Sequence, residues 1–196
     1  MVNFTLLKKN PNQRIGVFVD VQNMYYSAKN LYGQRVNFSR ILEVATGGRQ
    51  MIRALAYVIR ASMPEEQTFF DALEKAGFEV KMKDVQIFAG GVRKGDWDVG
   101  IAIDMIRLAP RLDVLVLVSG DGDYISLVEY LQNQGYRVES VSFGKSTSGK
   151  LIEVVDEFVD MDEGHNQFLL PLKREQRKRS FQPKQDPSST PIVPEL

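Results

Sequence analysis

The chain has 196 residues, no cysteine and one histidine, His165, which excludes disulfides, thiol nucleophiles, cysteine-based zinc sites and clusters of histidine ligands. Hydrophobic residues make up 43% and acids and bases balance at 25 each, the profile of a single globular domain. Any metal must therefore be held by oxygen, which favours hard ions such as Mg²⁺ or Mn²⁺. No apolar run approaches the roughly 20 residues that span a bilayer, and the first residues lack the apolar core of a signal peptide. The expectation is a cytoplasmic protein with no membrane partner.

After an extension over residues 1–13, Arg14–Asp20 (RIGVFVD) reads as a buried strand. Helices follow at Gln22–Tyr32 and Phe38–Ala45, then a strand at Met51–Arg60. Pro64 opens a helix that runs to Ala76 and stops at Gly77. Phe78–Lys83 is a strand, and Asp96–Ala109 a helix closed by Pro110. Asp113–Ser119 (DVLVLVS) is the clearest buried strand, and Tyr124–Gln134 a helix with Tyr124, Leu127, Val128 and Leu131 on one stripe. Tyr136–Phe143 is a strand, Lys150–Glu157 a helix, and Phe158–Met161 a short strand. The body of the domain is residues 14–162, and 163–196 form a tail. That tail is basic at Lys173–Arg179 (KREQRKR), then rich in Pro, Ser and Gln, and is predicted to be disordered.

Alternating strands and helices imply βαβ crossovers, and so an α/β fold with a mainly parallel sheet covered on both faces. In such sheets the site lies beyond the carboxyl ends of the strands. Asp20 closes the first strand, and Asp121 and Asp123 follow the strand ending at Ser119, so all three belong to one sheet edge. A helix cap accounts for Asp20 equally well. In SGDGDY one cap needs one acid, however, and the second is surplus. Two carboxylates ~4 Å apart repel by a few kcal/mol at an effective dielectric near 20, a cost that a divalent cation removes.

Asp98 opens a helix, at the end nearest the sheet edge. Asp104 lies six residues on, about 120° round the helix, so the two cannot both point squarely at one ion. Asp104 then supports the site or pairs with Arg107, and Asp96 is a candidate cap. Lys94 can contact a phosphate or remain a solvated loop lysine. The Tyr25–Tyr26 pair can stack on bases or serve as half-exposed packing, and packing is the simpler reading of Trp97. No GxxxxGK[ST] loop occurs, no GxGxxG follows a strand, and the Asp121 segment lacks the Gly and Glu of an EF-hand. The chemistry served by aspartates converging without His or Cys is metal-assisted phosphodiester hydrolysis.

Taken together, FVDVQN (Phe18–Asn23), Lys94–Val99 leading to Ala102 and Asp104, VSGDGDY (Val118–Tyr124), GYRVESVSFG (Gly135–Gly144) and Ser148–Leu151 with Asp156 and Phe158 resemble the NYN domain. The likeness is to its LabA-like branch within the PIN-like nuclease superfamily. It implies a PIN-like three-layer α/β/α fold and a Mg²⁺- or Mn²⁺-dependent ribonuclease acting in RNA processing or regulation of gene expression. Its substrate would be RNA, most naturally single-stranded. Carried over by position, Asp20, Asp98, Asp121 and Asp123 are the metal ligands and catalytic residues. Asn23 and Lys94 meet the substrate, and Asp104 supports. Trp97 stands where a smaller residue is more usual and would narrow the site.

Two other functions fit parts of the sequence. A catalytically silent regulator would keep the site but bind RNA or protein, and the basic tail motivates it, with a second copy or a protein partner as its target. A phosphatase of the haloacid dehalogenase kind is suggested by Asp121-Gly122-Asp123. There the motif would come early in the chain with Thr or Val after the second Asp, whereas here it comes late and Tyr124 follows.

Overall fold

The computed structural model describes residues 9–60, 66–87 and 93–171, without the side chains of 86, 87, 93 and 94. Lys173–Arg179 and the rest of the tail beyond 171, Pro64, and the Lys94 side chain lie outside the described residues.

Six strands form one sheet: β1 (Arg14–Asp20), β2 (Gln50–Arg60), β3 (Glu79–Asp84), β6 (Val114–Val118), β7 (Arg137–Ser142) and β8 (Glu157–Asp160). Their order is β3-β2-β1-β6-β7-β8, and every neighbouring pair is parallel. The first three strands build outward in one direction from β1 and the last three in the other from β6. The order therefore reverses between β1 and β6. The central position of β1 explains its sequence. It pairs with β2 on one side and β6 on the other, helices cover both faces, and every residue after Arg14 is buried. Such a strand has no face for polar residues, hence the unbroken run from Ile15 to Val19.

Helices α1 (Val21–Tyr32), α2 (Phe38–Thr46) and α3 (Glu66–Lys75) cover one face. Met24, Ala28, Ile41, Leu42, Phe70 and Leu73 pack there on Ile15, Val17 and Val19. Helices α4 (Asp98–Leu108), α5 (Ile125–Asn133) and α6 (Gly149–Val154) cover the other, where Ile101, Met105, Val128, Leu131 and Leu151 meet Phe18, Leu55, Leu115 and Leu117. Neighbouring residues of β1 thus serve opposite cores, as the strand period of two requires. Three layers result, as expected. At the amino-terminal end of the sheet a buried ion network ties the layers together. Both terminal guanidinium nitrogens of Arg49 donate to Glu139 at 2.9 Å, and Lys9 Nζ donates to Glu139 Oε2 at 2.7 Å.

Several element boundaries differ from the sequence reading. A two-stranded antiparallel ribbon, β4 (Gln86–Ile87) with β5 (Arg93–Lys94), precedes α4 and is invisible in the hydrophobic pattern because each strand is two residues long. Asp96 does not cap α4: Trp97 holds the N-cap position and makes no side-chain cap bond. Pro110 does not stop the chain from coiling but sits in a 3₁₀ turn, Ala109–Arg111, near its start, where an amide hydrogen is not needed. The last helix ends at Val154 rather than Glu157. Asp156 donates its N–H to Val138 O, and its carboxylate accepts from Val138 N at 2.8 Å, which draws the chain alongside β7 as β8.

Candidate active site

At the carboxyl ends of β1 and β6, where the strand order reverses, lies a cavity of about 370 Å³. Asp20, Asp98 and Asp121 line it, and so does Asp96. Three of the four carboxylates expected as ligands are thus in the lining, and they arrive from separate segments: the end of a central strand, the first residue of α4 and the loop after β6. Asp20 is also the N-cap of α1, its Oδ1 accepting the Asn23 N–H at 3.0 Å, so one residue both caps the helix and lines the cavity. That bond fixes the carboxylate where the strand ends.

Asn23 performs a second fixing. Its Oδ1 accepts the Gly120 N–H at 3.1 Å, tying the start of α1 to the loop that carries Asp121. The same loop is pinned from the far side, where Ser148 N–H donates to Gly120 O at 2.9 Å. A Cβ on Gly120 would lie 2.8 Å from Thr147 Oγ1 and 3.0 Å from its Cα, so this close approach admits only glycine. Asp121 then caps a 3₁₀ turn, Gly122–Tyr124, accepting the Asp123 N–H at 3.0 Å. Asp123 itself is exposed and stands outside the cavity lining. Its charge still reaches Asp98. Asp104 is not in the lining either. It pairs with Lys81 at 2.6 Å, not with Arg107, and accepts the hydroxyl of Tyr57, a cavity residue, at 2.9 Å. Its link to the cavity is the bond to Tyr57.

Trp97 forms one wall. Its indole N–H donates to Val58 O at 2.9 Å, and its ring packs on Tyr57 at 5.3 Å. Gly100 makes room for it, since a Cβ there would meet the indole at 2.4 Å. The sequence reading missed Tyr57, Ser146 and the role of Tyr124. The buried Tyr124 hydroxyl donates to Asp98 Oδ1 at 3.1 Å. Only the juxtaposition of Tyr124 with the SGDGD segment hinted at it.

The electrostatics are those of anions held together. Burial pushes the Asp20 carboxyl from 3.8 up to about 6; the Asn23 N–H pulls the other way, and the charges of Asp98 and Asp121 add to the rise. Asp98 is also raised, by burial first, with Tyr124 opposing and Asp121, Asp96 and Asp123 reinforcing. Among the described residues no lysine or arginine pairs with any of these carboxylates. Nor, among them, are three acidic side chains drawn close enough to form a finished coordination cluster. The donor set, all carboxylate oxygen on a part-buried crevice wall with no neutralising cation among the described residues, fits a hard divalent ion.

A parallel three-layer domain with carboxylates at its switch point has the architecture of the PIN-like nuclease domains. The chain belongs to the NYN domain family, which matches residues 14–162. It is 27% identical over 158 residues to the low amplitude and bright protein LabA of Synechococcus elongatus, an alignment spanning 76% of this chain and 84% of LabA. It is also similar to a solved structure, a protein of unknown function from Vibrio parahaemolyticus, with a TM-score of 0.75 and 37% identity over 84% of this chain and 100% of that one. The family and the LabA-like likeness expected from the motifs are thus both shown. Among the described residues no helix is long and apolar enough to cross a membrane.

Proposed function

We propose that this NYN domain is a metal-dependent ribonuclease that hydrolyses phosphodiester bonds of RNA, in RNA processing or in regulation of gene expression. The observation that carries the reading is the convergence of Asp20, Asp98 and Asp121 on one cavity, where no cation among the described residues pairs with them. Asp20, Asp98 and Asp121 would hold Mg²⁺ or Mn²⁺, with Asp96 in the same cavity lining and Asp123 exposed outside it. When bound, such an ion activates a water and offsets the charge growing on the phosphate oxygens.

The chain's own residues supply the positioning. Asn23 locks the Asp121 loop to α1 through Gly120, and its amide N–H₂ remains as a donor for a substrate phosphate. Tyr124 orients Asp98. Tyr57, held by Asp104 and Lys81, and Trp97, held by Val58, keep one wall rigid and partly apolar. Lys94 is proposed as a phosphate contact on sequence grounds.

The test is cleavage of single-stranded RNA in Mg²⁺, in Mn²⁺ and in EDTA, beside Asp121→Asn. Activity that needs the ion and collapses in the variant is expected. Metal-independent activity, or full activity in Asp121→Asn, would overturn the mechanism. Salt-sensitive RNA binding without cleavage in either metal, lost on deleting residues 172–196, would support the silent regulator instead.

A further inference from the structure

Two tyrosines on α1 lie outside both hydrophobic cores. Tyr25 and Tyr26 are 40% and 50% exposed and belong to neither core. Among the described residues neither hydroxyl makes a hydrogen bond. Their rings meet edge to face at 5.4 Å, and Lys29 Nζ stands 5.5 Å over the Tyr25 ring. Tyr26 is also a cavity residue. It shares a face of α1 with Asn23 and Asn30, at spacings of three and four, and both of those line the cavity too. This row leads outward from Asp20 along the helix. An aromatic ring left half in water, braced by a second ring and flanked by a cation, is the arrangement that proteins use to stack an unpaired base while a neighbouring phosphate meets the positive charge.

We infer that Tyr26, backed by Tyr25 and Lys29, is a base-stacking subsite that receives an unpaired nucleobase beside the bond held at the carboxylates. This deepens the ribonuclease reading and rests on it for the identity of the ligand. It also makes the substrate single-stranded, because bases stacked within a duplex present no free face to a tyrosine ring. The subsite is indifferent to base sequence, since every base has a π-face. Its part in affinity is therefore general, not selective.

The experiment is binding of a short oligoribonucleotide carrying one 2-aminopurine, in EDTA so that no cleavage intervenes, to the full chain and to Tyr26→Ala, Tyr26→Phe and Lys29→Ala. Tyr26→Ala is expected to bind about tenfold or more weakly and to lose the quenching that stacking gives the probe, with an unchanged dependence on salt. Tyr26→Phe keeps both. Lys29→Ala shows a shallower salt dependence. The same oligonucleotide annealed to its complement binds more weakly and ignores the Tyr26 variants. Since Tyr26 is half exposed, Tyr26→Ala should melt with the parent, and this comparison excludes unfolding as the cause.

Wild-type binding by Tyr26→Ala would overturn the subsite, as would a Tyr26→Phe as weak as the alanine variant, or a duplex bound tightly through Tyr26. The two readings fail separately. Cleavage of RNA by Tyr26→Ala with unchanged binding would remove the subsite and leave the nuclease. Tyr26-dependent binding by a chain that never cleaves would do the reverse.

Discussion

Asp20→Asn should stabilise the metal-free protein while abolishing its activity. The substitution keeps the cap, because an Asn Oδ1 accepts the Asn23 N–H as well as a carboxylate does. It removes a charge that burial and two neighbouring aspartates disfavour. The rise from 3.8 to about 6 corresponds to about 2–3 kcal/mol of strain in the ionised form at neutral pH. The folded-state pKa lies above the unfolded one, so the folded protein binds the extra proton. Stability attributable to Asp20 is therefore full below about 4 and lost as pH rises towards about 6, where the carboxylate ionises in place. In EDTA at pH 7.5 the variant should melt about 5 °C or more above the parent, at roughly 2–4 °C per kcal/mol for a chain of this size. The gain should shrink as the pH is lowered to 4.5. With saturating Mn²⁺ the order should invert, because the parent regains through ion binding what its carboxylates cost. Calorimetric melting at both pH values, with and without Mn²⁺, reads all of this. A variant less stable than the parent in EDTA, or a gain independent of pH, would refute the claim that burial, reinforced by Asp98 and Asp121, disfavours the Asp20 charge.

The remaining expectations concern the supports of the site and of the sheet. Gly120→Ala forces a methyl group against Thr147 and should lower cleavage more than tenfold by shifting Asp121, against about 1–3 kcal/mol of stability, as single-turnover assays and urea titration would show. Tyr124→Phe removes the hydroxyl from Asp98 and should weaken Mn²⁺ binding severalfold by calorimetry, in line with the loss of about 1 kcal/mol for one hydrogen bond; unchanged affinity would deny Tyr124 its orienting role. Glu139→Gln leaves the guanidinium of Arg49 buried without its counter-charge and should cost about 3–5 kcal/mol in urea unfolding at pH 7. Burial raises the Glu139 carboxyl, but Arg49 and Lys9 more than reverse this and hold it at about 2. Its contribution is therefore present above about 4.5 and lost as the pH falls towards 2, and the difference between Glu139→Gln and the parent should narrow over that window.

Much of the fold is legible in the chain because burial on both faces leaves an unmistakable trace. Ile15–Val19 and Val114–Val118 are continuous apolar runs since each lies between two parallel neighbours with helices above and below. Tyr124, Leu127, Val128 and Leu131 form the expected stripe and are all buried. The short ribbon before α4 and the early end of α6 leave no such trace. One is too brief for a period to show, and the other depends on Asp156 meeting β7 from 18 residues away.

The sequence by itself determined which donor atoms the site has to work with. A chain without cysteine and with one histidine offers a metal chiefly oxygen, and strand–helix alternation sends Asp20 and the Asp121 segment to one sheet edge. Which carboxylates share the cavity was decided by tertiary structure alone. Asp96, read as a cap, lines the cavity, whereas Asp123, read as a ligand, faces outward beside it. The reason is that side-chain direction in a loop follows its turn, and this turn is set from elsewhere in the chain: by Asn23 on one side of Gly120 and by Thr147 and Ser148 on the other. Contacts between residues so far apart in the chain leave no mark in local spacing.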